Sequence, residues 1–221
     1  MAFNHSYQTA KPVMSTLETN KVLKNTYFLL AMTLAFSAVT AAISMTMALP
    51  RFTGLICSLV AFGLLFVIQK KANSSSAIGL VFLFTGLMGF GLGPMLAHYA
   101  SMPNGAMLIT QALGSTALVF FGLSAYALTT KKDFSFMGGF LMVGLVVVII
   151  SSLVNLFIGS SVAFMAINAA VVLLMSGLIL FDTSRIVNGG ETNYVLATVS
   201  LYLNIYNLFT ALLHLFGASD D

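Results

Sequence analysis

Charge is what this sequence has least of. Only 7% of its 221 residues are Asp, Glu, Lys or Arg, whereas 59% are hydrophobic, and the mean hydropathy is +1.00. A water-soluble domain cannot be built from such material, because too few polar side chains would remain to cover its surface. Cysteine is almost absent as well: Cys57 stands alone, which excludes an internal disulfide and leaves no Cys/His cluster for zinc or an iron–sulfur centre. No HExxH segment is present for a zinc protease. The last apolar run has no lysine, which removes a retinal Schiff base. Neither a cofactor nor a metal is expected.

What the sequence does have is apolar length. Seven segments, each near the roughly 17–25 residues that cross a bilayer, follow one another: Asn25 to Leu49, Gly54 to Gln69, Ala77 to His98, Ala106 to Thr129, Phe136 to Ile158, Val162 to about Ile186, and Tyr194 to Gly217. The fold class this predicts is an all-α membrane protein of seven transmembrane helices. The first run is too long for the roughly 7–15-residue core of a signal peptide, so it reads as a retained helix. Residues 1–24 are polar, include Pro12 and show no sustained apolar period, so a disordered tail is expected there, followed by one transmembrane domain over residues 25–221. Gly122-Leu123-Ser124-Ala125 comes near the Gly-x-Ser-Gly of an intramembrane serine protease. Its last position is Ala, however, and spans four to six contain no histidine to act as base. No enzyme is expected.

The net charge of +3 and pI near 9.1 would suggest nucleic acid in a soluble chain. Here the basic residues sit between apolar runs and report orientation instead. With seven spans, Lys11, Lys21, Lys24, Lys70, Lys71, Lys131, Lys132 and Arg185 share one side, and Arg51 alone lies opposite. By the positive-inside rule the N-terminus is cytosolic and the C-terminus lies outside.

Polar residues inside the apolar runs are few enough to weigh singly. In span three, Gly89 and Gly93 have small-xxx-small spacing and Pro94 follows, a pattern of close helix packing or, less favoured, of a broken helix. On span seven, Ser200, Asn204, Asn207, Ala211 and His214 fall on one stripe at 100° per residue, which places that helix against protein or water. Asp182 is the one acid within or beside a long apolar run. Burying such a group costs about 2.5–3.5 kcal/mol on insertion scales. Arg185 follows at i+3, so a local ion pair that lets both heads reach water competes with an ion- or proton-responsive role.

Phe181-Asp182-Thr183-Ser184 and the run Ser200-Leu201-Tyr202-Leu203-Asn204-Ile205-Tyr206-Asn207-Leu208-Phe209 resemble the Bax inhibitor family of transmembrane proteins, and the likeness extends over essentially all seven spans. Asn25-Thr26-Tyr27-Phe28-Leu29-Leu30, Gly91-Leu92-Gly93-Pro94, Leu128-Thr129-Thr130-Lys131-Lys132-Asp133 and Gly189-Gly190-Glu191-Thr192-Asn193-Tyr194 resemble its bacterial YccA branch. The resemblance implies six helices around the last one, a pH-sensitive calcium leak in some members, and suppression of cell death or stress in eukaryotes. The branch implies an inner-membrane modulator, and substrate, of the membrane-anchored ATP-dependent protease FtsH. Partners on that reading are the protease, its membrane-associated regulators and the bilayer, with calcium as a further candidate and no nucleic acid. The alternative is a calcium or proton leak of the Bax inhibitor type, for which Asp182, Asn204 and Arg185 are the candidate gate. Calcium-leak members carry a second aspartate where this chain has Asn204, and an amide does not titrate, so the resemblance favours protease modulation over a leak.

The charge bias makes the topology testable. Reporter fusions at Lys71, Asn104, Lys132 and Asp221 should read inside, outside, inside and outside in turn. An inside signal at Asp221 would remove a span.

Overall fold

The computed structural model describes residues 16–50 and 52–218. The expectations for residues 1–15, for Arg51 and for the last three residues lie outside them. Seven helices follow in order: α1 (Thr16–Thr46), α2 (Thr53–Lys71), α3 (Ala77–Ala100), α4 (Gly105–Thr130), α5 (Gly138–Ile158), α6 (Ser161–Val187) and α7 (Tyr194–Ala218), with one 3-10 turn, Ser135–Met137, leading into α5. All seven are long and apolar enough to cross a membrane, and no strand occurs among the described residues.

One boundary differs from the sequence reading. Helix α1 begins at Thr16 rather than Asn25, so the last part of the expected tail is helical. The stretch after Pro12 holds neither Pro nor Gly, Val22 is already buried, and the Thr26 hydroxyl donates back to the Val22 carbonyl at 2.8 Å. The helices end where the chain cannot continue one. Pro50 has no N–H to offer after α1. At the α5–α6 turn, Gly159 takes a φ of 70° that side chains rarely adopt, and its N–H reaches the Asn155 carbonyl at 2.7 Å. The Asn155 side chain then accepts from the Ser160 N–H, and Ser160 caps α6 by accepting from Ala163 N.

With lipid tails as apolar as leucine, helices in a membrane need close contact rather than hydrophobicity to associate. The α1–α3 interface supplies it with glycines. A Cβ at Gly89 would collide with the Ser37 carbonyl and the Thr40 hydroxyl, one at Gly93 with Ser44, and one at Gly86 with the Phe36 ring. Gly91 faces Gly54 and Cys57 of α2 in the same way. Helix α3 therefore packs closely on both neighbours, and it runs unbroken through Pro94. The close-packing reading of Gly89 and Gly93 holds and the broken helix is not formed.

Helix α7 is the most enclosed and α5 the least. α7 packs on α1, α3, α4 and α6, while α2 rests mainly on α3 and α5 mainly on α6. Where the resemblance implies six helices around the last, four are close neighbours. The loops at the lysine-bearing end are latched to the bundle. Ser184 donates to the Lys132 carbonyl at 2.9 Å and accepts from Phe134 N at 3.0 Å, and Asn188 adds a bond to the same carbonyl. Asn193 caps α7 by accepting from Val195 N and donates to Asn73 across the α2–α3 link at 2.7 Å.

The glycine contacts make a direct prediction. Gly93→Val should destabilise the protein by about 1–3 kcal/mol through overpacking. Gly122→Val, where nothing lies within 4 Å of the added carbon, should change stability by less than about 0.5 kcal/mol. Thermal unfolding in mild detergent separates them. Equal effects would mean that α1 and α3 are not held by this contact.

Candidate functional site

Asp182 sits five residues before the end of α6 and is 8% exposed. One carboxylate oxygen, Oδ2, accepts two hydrogen bonds from α7, from the Ser200 hydroxyl at 2.6 Å and from the Asn204 amide at 2.8 Å. Asn204 lies ten residues into α7. At 1.5 Å per residue, Asp182 is about 7.5 Å from its helix end and Asn204 about 15 Å from its own. The contact therefore requires α7 to begin about 7.5 Å beyond the end of α6, and the link over residues 188–193 covers that offset. Ser200 and Asn204 are i and i+4 on one face, so both reach the same oxygen from one helix.

The two residues after Asp182 bind other elements. Thr183 is fully buried, with its hydroxyl 3.5 Å from the Tyr27 hydroxyl of α1. Ser184, also fully buried, is the latch to the α4–α5 link described above. Successive helical residues point 100° apart, so Asp182-Thr183-Ser184 addresses three different elements from a single turn.

Arg185 does not join this cluster. Its guanidinium pairs with Glu191 at 3.5 Å, donates to the Gly190 carbonyl at 3.4 Å, and lies over the Phe181 ring at 5.6 Å. The local Asp182–Arg185 ion pair, one of the two readings that the i+3 spacing left open, is thus not formed, and Arg185 instead closes the Gly189-Gly190 turn. Asp182 faces into the bundle while Arg185, 37% exposed, faces the surface. Such an exposed pair contributes about 0–1 kcal/mol.

The polar stripe of α7 divides into two ends. Ser200 and Asn204 go to Asp182. His214 Nδ1 lies 3.2 Å from Asn168 Oδ1, with the ring between Phe164 and Tyr99, beside a crevice of about 630 Å³ that Asn155 and Ser160 also line. Asn207, half-buried, belongs to neither end. Sequence reasoning assigned no role to Tyr202, which proves to be a second polar anchor. It is 1% exposed, its hydroxyl is 2.7 Å from Ser37 Oγ, and it donates to the Thr85 carbonyl at 3.2 Å. The available signal was Ser37, a small polar residue on the α1 face that meets the α3 glycines. Among the described residues no three His, Cys, Asp or Glu side chains converge.

Removing a donor from a buried carboxylate leaves it under-satisfied, so Asn204→Leu should cost about 1–3 kcal/mol in equilibrium unfolding. In an Asp182→Leu background the same change should cost under about 1 kcal/mol, because the partner is gone. Arg185→Ala should stay within about 1 kcal/mol. Additive effects of the Asp182 and Asn204 changes would mean that the contact is not formed.

The family model described as inhibitor of apoptosis-promoting Bax1 matches residues 19–221. Relatives include a protein of Vibrio cholerae called an uncharacterized membrane protein, 59% identical over 207 residues that make up 93% of each chain. The modulator of FtsH protease YccA of Escherichia coli K12 is 53% identical over 209 residues, 94% of each chain. Its counterpart in another Escherichia coli strain, with the same identity and coverage, is called inner membrane protein YccA.

Proposed function

Since the chain belongs to the Bax inhibitor family, we propose that it is a non-enzymatic inner-membrane regulator that binds an FtsH-type protease, restrains it, and is in turn degraded by it. The observation that carries this reading is the 53% identity, over 94% of both chains, to a relative named as a modulator of that protease. Polar chemistry in the bundle agrees with a structural rather than a catalytic role. Asp182, Thr183, Ser184 and Tyr202 each engage another element of the bundle, and none pairs with a base in the manner of an activated nucleophile.

A leak of calcium or protons is the second reading. It is favoured by one observation, the buried Asp182 carboxyl in the polar seam between α6 and α7. Against it, both groups on Asp182 Oδ2 are donors. A calcium site collects about six to eight oxygens, so a cation at Oδ2 would require the Ser200 hydroxyl and the Asn204 amide to turn their donor hydrogens away. The leak reading requires liposomes carrying the unaltered protein to release calcium steeply with pH.

For the protease to extract the protein, an ATP-driven ring in the cytosol must reach a segment of chain. The links at the lysine-bearing end are short, and those over residues 131–134 and 188–193 are bound to the bundle, so threading either would mean pulling a hairpin against those bonds. The fifteen residues ahead of α1 could reach about 50 Å if fully extended, at roughly 3.3–3.6 Å each. On the proposed reading the handle is the segment of residues 1–15 ahead of α1, with the N-terminus in the cytosol as the charge bias suggests and the C-terminus in the periplasm.

Affinity capture from native membranes should bring the protease with the protein. In pulse-chase measurements, trimming residues 1–15 should lengthen the protein's half-life in cells with active protease and leave it unchanged in cells without. Equal half-lives of full-length and trimmed protein in protease-positive cells would reject the handle.

A further inference from the structure

Helices α1 and α4 both pack on α7 but make no extended contact with each other, meeting through Tyr27 and Phe120, whose rings are 5.9 Å apart. Outward of that pair they enclose a groove of about 500 Å³. Its floor is α7, with Tyr202, Ile205, Tyr206 and Phe209, and its rims include the exposed Ala31, Ala38 and Ala42 on α1 and Leu113, Ala117 and Phe121 on α4. Along α1 the groove runs from Tyr27 to Met45. That is about 27 Å at 1.5 Å per residue, close to the roughly 30 Å of the bilayer's hydrocarbon core.

The groove offers almost nothing to a polar occupant. Of its hydroxyl-bearing side chains, Ser37 and Tyr202 satisfy each other, Thr116 donates to the Ala112 carbonyl, and Tyr27 meets Thr183. Only Tyr206 remains. Hydrated ions and polar solutes would lose their water without replacement.

Charge at the ends of the groove is one-sided. On α1 the groove stripe runs Tyr27, Leu30, Ala31, Leu34, and one turn back along it lies the exposed Lys24. On α4 the stripe continues past Phe121 toward the helix end, where the exposed Lys131 takes a φ of 51° as the C-cap. Lys21 and Lys132 add to this end, and Glu18 and Asp133 offset part of it. At the other end no described Lys or Arg flanks the groove.

We propose that the α1–α4 groove is a binding site for one anionic phospholipid, with its acyl chain along the α7 floor and its phosphate held between Lys24 and Lys131. The half of this apolar groove nearest the lysines, about 15 Å long, is one leaflet deep, and with cationic groups beyond it that half matches a molecule that is apolar along its length and anionic at one end. Basic side chains at the membrane surface each favour anionic lipid by about fivefold. Lipid held there would occupy the lysine-end half of the space between α1 and α4 and fix their separation at that end.

The test is native mass spectrometry of the full chain released from vesicles of equal phosphatidylglycerol and phosphatidylcholine content. One phosphatidylglycerol should remain bound per chain. The Lys24→Gln/Lys131→Gln double variant should lose retention by about 25-fold, two basic groups at about fivefold each. Lys70→Gln/Lys71→Gln, which removes the same charge from the end of α2, should change it by less than about twofold. Ala117→Phe, which fills the groove from its exposed rim, should abolish retention of both lipids while thermal unfolding confirms that the bundle stays folded. Equal losses from the two lysine pairs would reduce the effect to surface charge and overturn the site. So would persistent lipid in a folded Ala117→Phe variant, or protein from native membranes that carries a cross-linked partner helix in the groove and no phospholipid.

Discussion

A carboxyl group inside hydrocarbon must be supplied with partners, and the way Asp182 obtains them governs how this bundle is built. Its two donors come from α7, four residues apart. Because both must reach one oxygen, the rotation of α7 and its longitudinal offset against α6 are fixed together. The next two residues of α6 fix α1 and the α4–α5 link. One turn of helix thus sets the relation of four parts of the fold, in a solvent where hydrophobic burial cannot do so because the surroundings are equally apolar.

The remaining contacts follow the same logic of short-range packing and hydrogen bonding. Helix α3 brings its glycines against α1 and α2, and where α1 and α3 meet, Ser37 becomes available to Tyr202 of α7. Tyr202 is two residues from Asn204, so the two polar anchors of α7 lie on different faces and hold it from opposite directions. His214 and Asn168 hold the far end. With α7 anchored at three levels, the bundle would, on the proposed reading, yield slowly to a protease that pulls on its tail. The Asp182 carboxyl between α6 and α7 already accepts from two donors at one oxygen.

Much of this was legible in the sequence, for identifiable reasons. Apolar runs of bilayer length gave the seven helices, and Gly89 and Gly93 gave the close packing of α3, though not α1 as its partner, because both signals are local. Asp182 and Asn204 stood out because polar groups in such runs are costly. What could not be read was register: whether Asp182 and Asn204 meet depends on a helix offset of about 7.5 Å, and a sequence carries no record of it. The partner of Arg185 was hidden for the same reason, since the i+3 spacing to Asp182 is visible, whereas Glu191 comes within reach only after the chain turns at Gly189 and Gly190. The groove between α1 and α4 is a property of two helices that do not pack together, and no local pattern announces that.

The central claim is that this bundle is a restraint on a membrane protease and not a conduit for ions. Its most direct test is a reconstituted one: an FtsH-type protease in proteoliposomes with a reference membrane substrate, with the chain lacking residues 1–15 added at increasing ratios and ATP-dependent substrate loss followed over time. The account predicts that substrate loss slows in proportion to the chain added, while the chain itself persists. Unchanged proteolysis at saturating amounts of the folded chain would contradict it.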